Sequence, residues 1–353
     1  MTPLILSLVL LAGEPLTVRV LEHEKPTTVS LEAKSLSCDG APLPARAVAE
    51  VGARAVRVGE RSCAVLSAIG PVTVTAGAIT RTYAGALRVV VESGLLKVFN
   101  EVELEAYLVS VVGAEASGSP KAALEAQAVV SRTFALTARR RHAAAGYDVC
   151  DLTHCQLYRG QESESPQAKA AVEKTAGQVL LVGGIKLQPT FFHAACGGHT
   201  SSATDVFREE AASPGVSDVE PAGPLCRELP DFAWEWTIER LAFASALGLK
   251  AEGNAFEPLR RDRAGRVIEL KSFGKRFTGD EFLARVGRAF GYQSLRSLKT
   301  TAQEVESTLH FTGTGLGHGV GLCQQGAKTL ASRGSSAKAI LQRYFPDCQV
   351  RVP

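Results

Sequence analysis

A chain of 353 residues is long enough for one large or two ordinary domains. Lys and Arg number 39 against 36 Asp and Glu, and the basic cluster Arg139-Arg140-Arg141 reads as a solvated helix end, so the charge pattern excludes a nucleic-acid partner. With 33 Gly, 16 Pro, one Met and 6% aromatics, turns are frequent, and Ala, Val and Leu supply the core.

Residues 1–14 carry an apolar run from Pro3 to Ala12, followed by small Ala12-Gly13. The run is too short to cross a bilayer and fits the core of a signal peptide, although a positive n-region is missing. Export to the periplasm or cell envelope is therefore expected, a misassigned start being the alternative. No later segment is apolar and long enough to span a membrane. Eight cysteines agree with export, because disulfides persist outside the cytoplasm. Proximity groups them as Cys38 with Cys63, Cys150 with Cys155, Cys196 with Cys226, and Cys323 with Cys348. Connectivity cannot be read from spacing, but a Cys38–Cys63 bridge is expected.

Residues 15–95 alternate as strands do, in LTVRVL, AVRV, VTVTAGAITRTYAG and LRVVVESGLLKVF, with glycine turns between them. Residues 96–353 then read as mixed helix and strand, so the fold class is α+β, with 230–310 as a second α/β lobe. In EVELEAYLVSVVGAE, Leu104, Leu108, Val111 and Glu115 lie at offsets 0, 4, 7 and 11, one face of a helix. A glutamate ending a buried stripe loses water, and the helix C-terminus adds partial negative charge. Both raise its pKa, as a general acid requires. The alternative is a solvated or ion-paired helix end. Ser119 as N-cap and Pro120 as first residue open a second, alanine-rich helix that contains Gln127 and Arg132.

His142, Cys150, His154 and Cys155 follow. Two thiolates and two imidazoles suit tetrahedral zinc, and four protein ligands would make it structural, with no open position. A Cys150–Cys155 disulfide with idle histidines is the competing reading. Further on, a helix over 162–180 leads into strands and then Cys196-Gly197-Gly198-His199-Thr200, where paired glycines permit close backbone approach to a ligand or to a tight corner. A loop over 209–230 precedes the α/β lobe. Near the end, Gly313-Thr-Gly-Leu-Gly317-His318-Gly319-Val-Gly321 lacks the Lys-Ser/Thr of a phosphate loop and presents one imidazole, His318. A helix over 324–334 follows.

Taken in order, four blocks resemble the stage II sporulation protein D (SpoIID) family and the related LytB amidase enhancers. They are Asn100–Leu136; Cys155-Gln156-Leu157-Tyr158 with Thr175-Ala176-Gly177; Cys196–Thr200; and Gly317–Gly321 with Gln324 and Gly326-Ala327. The resemblance implies a peptidoglycan lytic transglycosylase acting on denuded strands, whose stem peptides have been removed. Glu115 would be the acid and then the base, yielding 1,6-anhydro-N-acetylmuramic acid ends. Asp151 and Asp205 remain candidates for a second acid. The same resemblance implies zinc at His142, Cys150, His154 and Cys155. It also implies a glycan groove lined by Gln127, Arg132, Gln156, Tyr158, Gly197, Gly198, His318 and Gln324. Arg132 would pair with the lactyl carboxylate. Cys323 stands where many members have Ser and would bridge to Cys348.

The run after Glu115, Ala-Ser-Gly-Ser-Pro, lacks the large apolar residue and Trp common in the family. One alternative function follows, a non-catalytic glycan-binding enhancer of a cell-wall amidase. A zinc amidase or peptidase is the other, and it conflicts with four ligands closing the metal.

Overall fold

The structure, a computed structural model, describes residues 13–352. The expected signal-peptide core, Pro3 to Ala12, lies outside the described residues. The chain is α+β, and its described residues form two compact units, one of residues 13–179 with 351–352 and one of 180–350. The boundary expected at residue 95 falls inside a sheet strand instead. Leu95–Val102 pairs with Ala86–Glu92 on one side and Leu16–Val20 on the other, so the β-rich start and the helices share one unit.

Unit 1 holds two sheets. The seven-stranded sheet runs Val149–Cys150, Leu16–Val20, Leu95–Val102, Ala86–Glu92, Leu66–Ile69, Ser35–Cys38, Ala41–Leu43. The six-stranded sheet runs Ile79–Tyr83, Val72–Ala76, Thr28–Glu32, Arg46–Val51, Val56–Val58, Arg61–Cys63. Alternation drives both: in Leu16–Val20 every second residue is buried and the others are half-buried. The expected Cys38–Cys63 disulfide is present and ties a strand of the first sheet to the edge strand of the second. It closes a loop of sequence separation 25. Chain-entropy arguments give such a loop about 3 kcal/mol. Replacing both cysteines by Ser is expected to lower the urea unfolding free energy of the purified protein by roughly that amount.

Among the described residues three α-helices complete the unit: Leu104–Glu115, Lys121–Thr137 and Pro166–Lys174. The second begins one residue later than its sequence suggests, since Pro120 occupies the N-cap. The helix expected over 162–180 is shorter, because Gly160–Ser163 forms a 3-10 turn and Ser165 caps Pro166–Lys174 through the Ala168 N–H. Gly113 matters to this packing. A Cβ there would collide with the Ser163 carbonyl oxygen, so glycine lets the first helix approach the 163 backbone.

Unit 2 is assembled from short pieces. Phe192–His193 pairs in parallel with Leu322–Cys323, and Val219–Glu220 forms a hairpin with Gly223–Pro224. The residues expected to form an α/β lobe comprise two three-stranded sheets and two helices, Arg240–Ala246 and Gly279–Phe290. Their own apolar core includes Trp234, Phe243, Phe277, Phe282 and Phe311. The glycine-rich loop is a packing device as well as a turn. A Cβ at Gly321 would collide with the Phe191 carbonyl, and one at Gly319 with the Arg266 guanidinium.

Candidate functional site

The Leu104–Glu115 helix buries Leu104, Leu108 and Val111, and leaves Glu115 half-buried at its last position. The stripe thus forms as its spacing implies, with the carboxylate at the apolar face's end. Glu115 Oε1 accepts a 2.7 Å hydrogen bond from the Leu157 backbone N–H. This backbone donor orients the carboxylate. The adjoining Gln156 is fully buried, its Oε1 accepting from Tyr107 Oη at 3.1 Å, and its Nε2 has no protein partner among the described residues. Tyr158 is also buried, donates to Asn100 Oδ1 at 2.7 Å, and packs between the rings of Tyr83 and Tyr107. Asn100 in turn donates to the Ala84 and Ala86 carbonyls, so the sheet holds this segment in place.

The same segment carries two of the four proposed metal ligands. The donor atoms of His142, Cys150, His154 and Cys155 all lie within 4.8 Å of one another. His142 Nε2 is 3.4 Å from Cys155 Sγ, His154 Nδ1 is 3.6 Å from Cys155 Sγ, and Cys150 Sγ is 3.8 Å from His154 Nδ1. Zinc bonds of about 2.0–2.3 Å give a tetrahedron with edges of about 3.3–3.8 Å. The quartet therefore fits a tetrahedral ion, and Cys150 and Cys155 are not disulfide-bonded. Between the thiols, hydrogen bonding from Cys150 brings Cys155 down to about 7 and pushes Cys150 up. One thiolate is thus available near neutral pH, as ligation requires. Val149–Cys150 is an edge strand pairing in parallel with Leu16–Val20, and His142 stacks on Tyr147 at 4.6 Å.

Other expected residues sit differently. Arg132 is 1% exposed. Its guanidinium grips the Glu105 carboxylate at 2.8 and 2.7 Å and donates to the Gln178 carbonyl at 3.1 Å. It is engaged in joining helices, with no face turned to a lactyl carboxylate. Gln127 is equally buried and donates to Ser131 Oγ at 3.0 Å. Neither side chain reaches the surface, because the alanine-rich helix that carries both is enclosed along most of its length. Asp151 is buried as well, accepting from the Leu21 N–H and from Arg81 at 3.2 Å. Asp205 accepts from Ser202 Oγ at 2.7 Å in a helix cap.

In unit 2, Gly197 and Gly198 both have positive φ, at 73° and 99°. A Cβ on Gly197 would lie 3.0 Å from the Lys299 side chain, and one on Gly198 3.1 Å from Pro224, so this is a tight corner. His318 Nδ1 accepts from the Val320 N–H at 3.0 Å, and the ring contacts Phe191, Phe207 and His193. Gln324 is half-buried at the first position of the Gln324–Ser332 helix. Cys323 and Cys348 are both unbridged, against the expected bond. Cys323 instead turns toward Cys196, whose backbone N–H donates to its sulfur.

Burial lowers His318 to about 4, with Arg266 adding to the effect, and lowers buried His193 as well. Both rings are neutral in the folded chain and gain protons on unfolding in mild acid. Their contribution to stability is therefore present above pH 6.5 and is lost as pH falls toward 4. His318 is half-buried, so solvent screens part of this. Thermal unfolding should show a midpoint that drops on acidification across this window, with a shallower slope in His318→Gln.

Sequence reasoning missed the Leu157 N–H, Glu105 and the hub at Arg266. Arg266 is 2% exposed and bonds Ser201 Oγ at 3.0 Å and the Cys196 and Gly317 carbonyls. None of these carries a motif, and only the fold brings them to their partners.

The segment therefore joins two features: a helix-end carboxylate held by the Leu157 N–H, and, two residues before Leu157, the last member of a four-donor group of thiols and imidazoles. Residues 92–181, which contain both features, match the model of the stage II sporulation protein (SpoIID) family. An uncharacterized protein of Brachyspira hyodysenteriae is 29% identical over 74% of this chain and 70% of its own length. Stage II sporulation protein D of Bacillus subtilis is 25% identical over 70% of this chain and 74% of its own. The amidase enhancer of Bacillus subtilis is 26% identical over 64% of this chain, a match confined to 37% of that longer protein. The match to the SpoIID model and the likeness to these relatives support a place in the SpoIID/LytB family.

Proposed function

We propose that the protein acts at the bacterial cell wall as a lytic transglycosylase on denuded peptidoglycan strands, with Glu115 as general acid and then general base. The observation that carries this reading is Glu115 at the end of its buried stripe, within the family-matched segment, with Oε1 held by Leu157. In the first step the carboxyl gives its proton to the leaving glycosidic oxygen as the bond to C1 of N-acetylmuramic acid breaks. In the second, the resulting carboxylate takes the proton of that sugar's C6 hydroxyl while O6 bonds to C1. The proton count returns to its start, no water is consumed, and a 1,6-anhydro end remains. Glycosidases that hydrolyse need a second carboxylate as nucleophile or water activator. The substrate's own hydroxyl replaces it here. The Leu157 N–H holds the carboxyl group in one orientation through both steps.

His142, Cys150, His154 and Cys155 would hold zinc, whose part is to fix the chain and not to react, since four protein donors leave it no open position. Leu157 lies two residues beyond Cys155. A pinned Cys155 therefore fixes the donor that orients Glu115. Gln156, Tyr158 and Asn100 brace that segment, and Arg132 and Gln127 stabilise the helix packing behind it. Gly197, Gly198, His318 and Gln324 keep the glycan-contact role that the family resemblance implies. Export to the cell envelope belongs to the same reading.

The second reading, a glycan-binding enhancer of an amidase, draws on the match to the amidase enhancer and on the small residues after Glu115. Mass spectrometry of denuded and peptide-bearing strands after incubation separates the two. Anhydro ends from denuded strands support the transglycosylase; binding without new ends supports the enhancer.

A further inference from the structure

Unit 2 contains a second cluster of ligand-type side chains, separate from the Cys/His quartet and unused by the proposed chemistry. Cys196, Asp218, Cys226 and Cys323 are each completely buried, and one donor atom from each lies within 4.8 Å of all the others. Cys196 Sγ is 3.6 Å from Cys226 Sγ and 3.3 Å from Asp218 Oδ2. A sulfur–sulfur bond would need about 2.05 Å. Edges of a zinc tetrahedron are about 3.5 Å for sulfur to oxygen and about 3.8 Å for sulfur to sulfur. We propose that Cys196, Asp218, Cys226 and Cys323 form a second structural zinc site.

The surroundings are those of a built site. Backbone N–H groups point at two of the sulfurs: Gly198 at Cys196 (3.2 Å), and both Cys196 and Gly326 at Cys323 (3.4 Å each). Such donors stabilise thiolates and do little for thiols. Asp218 Oδ1 is held by Tyr344 Oη at 2.9 Å and Arg343 Nε at 3.2 Å, which leaves Oδ2 directed at the sulfurs. Outer partners of this kind orient metal ligands. Three thiolates and a carboxylate around one divalent ion carry a net charge of −2, and three cations sit beside them. Arg343 contacts Asp218, Arg266 donates to the Cys196 carbonyl, and Lys299 donates to the Gly197 carbonyl at 2.6 Å.

The local fold also delivers the donors from four directions. Cys196 follows the Phe192–His193 strand, and Cys323 ends the strand parallel to it. Asp218 and Cys226 flank the Val219–Pro224 hairpin. Gly326 is required, since a Cβ there would collide with Tyr344 Oη. No disulfide arrangement satisfies the cluster, because any bond between two of the sulfurs leaves the third and the carboxylate buried together. Thiolate-rich tetrahedral donors select zinc, and binding releases the three thiol protons to solvent. With four protein donors the ion gains no water and has a structural role.

Zinc content of the purified full-length chain, measured by mass spectrometry after gel filtration without chelator, tests this. Cys226→Ser is expected to lose one equivalent relative to wild type, whatever the quartet in unit 1 holds. His154→Ala is expected to keep the equivalent that Cys226→Ser removes. Non-reducing peptide maps should show Cys196, Cys226 and Cys323 all reduced, and alkylated only after chelation. Unchanged zinc in a folded Cys226→Ser, or a disulfide among the three cysteines in the wild-type map, overturns the proposal. Should Cys226→Ser fail to fold, Asp218→Cys keeps four donors. Loaded with cobalt, it should show stronger thiolate-to-metal absorption than wild type, and an unchanged spectrum overturns the assignment.

Discussion

Glu115→Gln is expected to abolish formation of 1,6-anhydro ends from denuded strands while leaving strand binding within a few-fold of wild type. Gln keeps the shape and can still accept the Leu157 N–H through its carbonyl oxygen, so the local structure is retained. What it loses is a transferable proton. A positioned general acid–base contributes roughly 10²–10⁴-fold, and one group serving both steps puts the loss at about 10⁴ or beyond. The check is a time course of anhydro products by mass spectrometry beside a pull-down on the same strands. Full activity in the variant would remove Glu115 from the mechanism. Loss of binding together with activity would point to a role in holding glycan.

Metal removal is expected to have the other large effect. A chelator, or Cys155→Ser, should lower the unfolding free energy of the protein by more than about 3 kcal/mol, in the range associated with losing a structural metal. Activity should fall with it, because the Leu157 N–H is presented by the chain that Cys155 anchors. The sign of a structural ion is indifference to identity. Cobalt or cadmium of the same tetrahedral geometry should restore stability and turnover together, with an unshifted pH profile. A rate that changes with the metal at constant stability would instead assign the ion to the chemistry. Because the second cluster also binds such ions, the measurement belongs in Cys226→Ser as well as in wild type.

Both predictions rest on residues that were legible before the fold was known, and the reason is distance along the chain. Spacing on one helix put Glu115 at the end of a buried stripe, and the family resemblance gave it the acid role. The grouping of His142, Cys150, His154 and Cys155 was legible because the four fall within 14 residues. The Cys38–Cys63 bridge was legible for the same reason. The cluster of Cys196, Asp218, Cys226 and Cys323 was not, since its members are brought together by a parallel strand pair and a hairpin. Proximity in sequence favoured Cys323 with Cys348, whereas the parallel pairing of His193 with Cys323 carries Cys323 toward Cys196. Arg132 misled in the opposite way. An arginine in a conspicuous block suggests an anion outside the protein, but its carboxylate partner, Glu105, sits on the neighbouring helix. The unit boundary was unreadable at residue 95 because the alternating pattern gives strands without giving their neighbours.

The pairing of the first strand sets the order in which unit 1 can assemble. Leu16–Val20 sits between Leu95–Val102 on one side and Val149–Cys150 on the other. Val18 thus waits for Asn100 and Val149, partners about 80 and about 130 residues further along the chain, and contacts of such separation slow folding. Until residue 150 is available the strand has one bare edge, open to pairing with another chain. Closing that edge also brings Cys150 to its three partner donors, so an ion held there would be captured only by a chain whose Leu16–Val20 strand is paired on both sides. Metal loading at this quartet would then report on finished folding, and an incompletely paired chain would lack the anchor proposed for the Leu157 N–H that holds Glu115.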